Sequence, residues 1–181
     1  NLSNVVQNGV TISGGTINTT GTGRLTASNS SLNFLDGVTL NGVLDLATAT
    51  GIERIRNGIT LNGAVNVNSN SVLAFENNAS INGNVTIVLG DTGPSNRITL
   101  EDAGTTTLGA NVVIRGQNGT IGGQIFVSGA HGLINNAEFS QQLELTLKPK
   151  LEQLQLAGEL SLQGLDVAQA PGLKDKVRGF L

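Results

Sequence analysis

Apolar and polar residues alternate along most of this chain, and the alternation recurs in blocks. Residues 36–46 read D-G-V-T-L-N-G-V-L-D-L, 57–67 read N-G-I-T-L-N-G-A-V-N-V, and 78–87 read N-A-S-I-N-G-N-V-T-I. Period-two alternation turns one face of an extended strand toward a core. The shared Gly42, Gly63 and Gly83 lie 21 and 20 residues apart. Val38 and Leu40 match Ile59 and Leu61, then Ala79 and Ile81. Past the glycine, Leu44 and Leu46 match Val65 and Val67, then Val85 and Ile87. Phe34, Ile55 and Phe75 make a third column. Such columns predict an all-β fold, a right-handed parallel β-helix of about 20–21 residues per turn, with each strand pairing about 4.8 Å from its equivalent. An Asn-Gly pair by itself signals a hairpin. Its recurrence in register favours the solenoid, and a meander of hairpins remains the structural alternative.

Asn41, Asn62 and Asn82 each precede a shared glycine. Stacked asparagines can bond to one another along the axis, and both Asn and Gly tolerate the left-handed backbone of a corner. These six residues are the expected structural ladder. Weaker copies lie at residues 8–14 and 108–114. Gly109 follows Gly83 by 26 residues, and the excess is expected in the turn-rich segment D-T-G-P-S-N at 91–96.

The composition breaks near residue 140. Every Asn lies in residues 1–136, and all four Lys (Lys148, Lys150, Lys174, Lys176) follow residue 147. Residues 1–140 are therefore read as the β-helix. Residues 141–181 are read as an amphipathic β-rich cap, or as an appended or fused module. Its strands are expected to begin with Leu143, Leu145 and Leu147, and residues 173–181 are read as a potential short helix. A cap would cover the open apolar end that a solenoid otherwise exposes.

Aromatics are only 3% of the chain, so Val, Ile and Leu must fill the core, which suits a narrow stack. Gly is frequent at 25 and Pro rare at 3, as many tight corners require. Cys is absent, which excludes disulfides, zinc-thiolate sites and thiol chemistry. The net charge of -3 argues against a nucleic-acid partner. No apolar run is long enough to span a membrane. The chain begins at Asn1 without Met, and is read as a fragment of something longer.

Candidate chemistry is sparse, and no cofactor is expected. His131 is the only histidine and is read as a solvated turn residue. Asp91, with Arg97 nearby, could bind a ligand in the inserted loop, but one carboxylate is too few for calcium. Glu101 and Asp102 are adjacent, so on a strand they would face opposite ways and form no carboxylate pair. Glu53, Arg54 and Arg56 are expected to interrupt a strand and form a solvated ion-pair face. The solvent-facing columns are expected to carry Thr39, Thr60 and Ser80, then Asp45, Asn66 and Thr86. Enzymatic β-helices cluster acids and bases on such a face, and none is seen to converge here.

The repeat style of residues 1–130 resembles the passenger β-helices of filamentous-haemagglutinin-like and autotransporter adhesins of bacteria. That resemblance implies an exported, non-enzymatic structural or adhesive segment at the cell surface. Its expected partners are glycans or further copies of the chain joined end to end into fibres. A carbohydrate-active β-helix is the alternative. A second is an envelope lipid-handling module, because residues 158–169 are faintly similar to AsmA-like repeats.

Overall fold

The computed structural model describes residues 2–90 and 93–137. These belong to one compact unit, residues 1–138. The cap or appendage expected at 141–181 lies outside the described residues. The chain opens with β1 (Leu2–Gln7), β2 (Thr11–Ser13), β3 (Thr16–Ala27), β4 (Phe34–Asp45) and β5 (Ile52–Val67). It continues through β6 (Val72–Phe75), β7 (Ser80–Asn82), β8 (Val85–Leu89) and β9 (Arg97–Leu100). The last described strands are β10 (Gly104–Leu108), β11 (Val112–Gly116), β12 (Thr120–Ile121) and β13 (His131–Asn135). Each pairs in parallel with strands of the neighbouring turn. The result is a parallel β-solenoid of about 5 turns with no helix among the described residues.

Inward positions stack like over like. Val5, Leu25, Leu44, Val65, Ile87 and Ile114 form one continuous column. Ile12, Leu35, Ile55, Phe75 and Leu100 form another. The inner members of both columns are buried in a single aliphatic core. Burying each large aliphatic side chain contributes roughly 1.5–3 kcal/mol, so the core grows with every turn added.

The expected columns are displaced at two places. Phe34 sits over Arg54, and it is Leu35 that sits over Ile55 and Phe75. Gly37 of β4 opposes both Asn57 and Gly58 of β5, because the register jumps between Asp36 and Val38. In β4 the alternation breaks here, since Leu35 and Val38, three residues apart, both face the core, so Phe34 turns outward. The second displacement concerns Gly83. Gly42 pairs with Gly63, but Gly63 pairs with Val85, and Ile59 pairs with Ile81 rather than Ala79. Five residues, 76–80, separate Phe75 from Ile81, where three separate Ile55 from Ile59. A two-residue insertion keeps inward residues inward, so period-two alternation cannot register it.

The later excess is also divided. The stagger between turns is 22 residues at Val67 and Leu89, 25 at Val72 and Arg97, and 27 at Ser80 and Thr107. Part of the extra chain therefore precedes Arg97, as expected, and the rest forms the corner at residues 101–103.

Candidate functional site

The polar ladder runs along one corner. The side-chain amide of Asn41 donates to the Asn18 carbonyl oxygen at 2.8 Å, and that of Asn62 donates to Asn41 at 2.7 Å. The Asn62 carbonyl oxygen then accepts the Asn84 backbone N–H at 3.1 Å. Asn82, expected as the third rung, pairs with Thr60 in the β-ladder and lies off the Asn column; its place is taken by Asn18 at the other end. Gly42 and Gly63 take φ of 134° and 142°, and a Cβ on Gly63 would lie 2.1 Å from the Gly42 carbonyl oxygen. Thr16, Thr39 and Thr60 stack two residues before the asparagines, and Asn82 rather than Ser80 continues their column.

A charged cluster lies on the outer face of another side. Glu53, Arg54 and Arg56 do not interrupt a strand; all three lie within β5. Arg54 and Arg56 point outward, and both bind Glu76, with the Arg56 Nε to Glu76 Oε2 distance 2.6 Å. Arg54 also donates to the Ser31 carbonyl at 2.9 Å. Its guanidinium lies 4.5 Å from the Phe34 ring centroid and 4.7 Å from that of Phe126, while Arg56 lies 3.6 Å above Phe34. The side chains of Arg54 and Glu76 are only 10% and 4% exposed, so the pair is not the solvated one expected. Phe34 is outward because of the bulge, and this supplies the ring on which both arginines stack.

Glu101, next along this outer column, is also buried. Its carboxylate accepts the backbone N–H groups of Ile125, Phe126 and Val127 at 2.9–3.1 Å. Burial alone would raise its pKa. The Val127, Ile125 and Phe126 N–H groups outweigh burial and hold it below the ordinary value. The segment carrying Phe126 is thereby strapped across the sheet.

His131 is not a solvated turn residue. It opens β13, and its side chain is 2% exposed. Nδ1–H donates to the Glu101 carbonyl at 2.5 Å, with Asp102 Oδ1 at 3.5 Å, and Nε2 accepts the Thr106 hydroxyl at 2.9 Å. The Glu101 backbone carbonyl, not the Asp102 carboxylate, orients the imidazole, so these groups lack the hydrogen-bonded chain of a nucleophilic triad. Thr106 is 0% exposed, and the bonds of His131 to Thr106 and to the Glu101 carbonyl fasten β13 to the turn before it. Glu101 and Asp102 form no carboxylate pair, as expected. The reason differs, since β9 ends at Leu100 and Asp102 is a corner residue with φ of 60°.

Two residues escaped the sequence reading. Asn33 accepts the Gly9 N–H at 2.7 Å and donates to the Ser28 and Ile52 carbonyls at 3.0 Å each. Asn96 accepts the Asn70 N–H at 2.9 Å and donates to the Gly90 and Asn118 carbonyls. Each buried amide therefore joins three successive turns at a corner. Both stand immediately before an apolar strand, which is the available signal, but in so Asn-rich a chain it is faint.

Arg97 begins β9 and is exposed, while Asp91, its expected partner in ligand binding, lies outside the described residues. No group of three His, Cys, Asp or Glu residues suited to a metal occurs among the described residues. No described helix is long and apolar enough to cross a membrane. Comparison with protein-family models, with curated proteins and with solved structures finds no match.

Proposed function

We propose that this chain is a structural and adhesive segment of a secreted bacterial surface protein. In this reading it performs no catalysis. It is a stiff rod that presents polar faces to glycans or to further copies of itself. The observation that carries the proposal is the continuous aliphatic column from Val5 to Ile114, flanked by the Asn18–Asn41–Asn62 ladder. Force along such a rod must break successive parallel ladders, each backed by a dry core. The described acids Asp45, Glu76 and Glu101 support the same reading, because each is engaged in holding the fold. The repeat style adds the resemblance to bacterial passenger domains.

Glycan-array binding and force spectroscopy on the full chain test the proposal. Retention on surface glycans together with high unfolding force is the expected result. Turnover of acidic polysaccharides by the purified chain would replace this role with a catalytic one.

A further inference from the structure

Glu53 is the exception among the buried acids. It lies in β5 and faces the interior at 0% exposure, and neither carboxyl oxygen has a hydrogen-bond partner. In register above it stands Asn33, whose amide is already committed to the Ser28 and Ile52 carbonyls. Below it stands Leu73. Among the described residues no cation compensates it. Arg54 and Arg56 on the same strand turn to the outer face and pair with Glu76, and Arg24 pairs with Asp45 across β3 and β4. The Arg54 backbone N–H is engaged by the Asn33 carbonyl at 3.2 Å.

We propose that Glu53 is a proton-held latch on the solenoid: with its carboxyl protonated the turn stays shut, and loss of that proton opens it locally. An ionised carboxylate in a dry interior without a partner is strongly disfavoured, whereas the neutral acid fits at far smaller cost. Opening the β5–β6 region to water is the available relief. The interior neighbours on the adjoining turns, Asn33 and Leu73, carry no charge that could stabilise the anion in place.

Burial pushes the Glu53 carboxyl from 4.5 up to about 8. The open form releases its proton near 4.5, and the closed form keeps it to about 8. Between those values the open form binds fewer protons, so closure weakens as pH rises and levels off above about 8. Each pH unit in the window multiplies the opening constant about tenfold, roughly a thousandfold in all.

Amide hydrogen exchange on the full chain, corrected for its intrinsic pH dependence, tests this at residues 52–55 and 72–75. In the wild type, opening should rise by about that factor between pH 4.5 and 8, while Glu53→Gln stays flat. A wild-type opening constant that ignores pH would overturn the proposal. Should Glu53→Gln fail to fold, carbon-13 titration of the Glu53 carboxyl in the wild type decides. A midpoint near 8 accompanied by the exchange response upholds the latch, and ionisation by pH 6, or titration with no opening, refutes it.

Discussion

Asn62 donates its side-chain amide to Asn41 at 2.7 Å across one turn of the solenoid, and Asn41 passes the same bond on to Asn18. The central residue both donates and accepts, so its removal breaks two bonds and leaves two amides unmatched. Asn41→Ala should therefore destabilise the fold by about 1–2 kcal/mol. Asn82→Ala should cost far less, because Asn82 makes only a 3.4 Å contact with Ser80 on its own strand. Paired denaturant titrations of the two variants check the contrast.

Gly63 marks a tight passage between two turns. A methyl group there meets the Gly42 carbonyl, and φ of 142° is unfavourable for an L side chain besides. Gly63→Ala should cost about 3 kcal/mol or more, since the backbone of one turn must retreat from the next. Gly14 also has a positive φ, of 63°, but nothing lies within 4 Å of its missing Cβ. Gly14→Ala should cost only about 1 kcal/mol, the conformational part alone. Thermal unfolding of both variants separates close approach from backbone preference.

The contrast between Gly63 and Gly83 shows how much of the fold was legible in the sequence. Alternation identified the strands, and the 21-residue repeat placed Gly42 over Gly63. Gly83 was misplaced because two added residues in a corner leave alternation unchanged. Phe34 was misplaced because a bulge adds one residue, which the gapless match passed over. The outer cluster was illegible for the same reason. Arg54 stacks on Phe34 only once Phe34 faces outward, and Glu76 and Phe126 come from later turns. His131 and Thr106 are 25 residues apart and meet only through parallel pairing of β10 with β13. Contacts between turns depend on register, and register depends on corners that composition describes poorly.

Glu76 holds two guanidinium groups, and Arg54 is nearly as buried as Glu76 itself. Glu76→Leu removes the carboxylate and leaves Arg54 as an uncompensated buried charge. A loss of about 3–5 kcal/mol is expected. Adding Arg54→Met should restore most of it, since an apolar pair of similar volume needs no compensation. A double-mutant cycle read by chemical denaturation would show strong coupling between the two sites. Additive losses would mean that the stacking on Phe34 and Phe126, rather than the ion pair, keeps Arg54 in place.

Glu101 responds to pH in the opposite direction from Glu53. Its carboxyl is held below the ordinary value of 4.5, with the Val127, Ile125 and Phe126 N–H groups outweighing burial. The stability it contributes is present above that value and is lost as pH falls through the lower, native one. The 125–127 strap should therefore loosen in acid, and the exchange of those three amides should speed up below pH 4.5. Glu101→Gln keeps an acceptor but no charge, and charge-assisted bonds are about twice as strong as neutral ones. In that variant the three amides should exchange at least about tenfold faster at pH 7, equivalent to about 1.4 kcal/mol. The acid-dependent step should vanish with the carboxylate. Acid loosening that persists in Glu101→Gln would show that the Glu101 carboxylate is not what holds the strap.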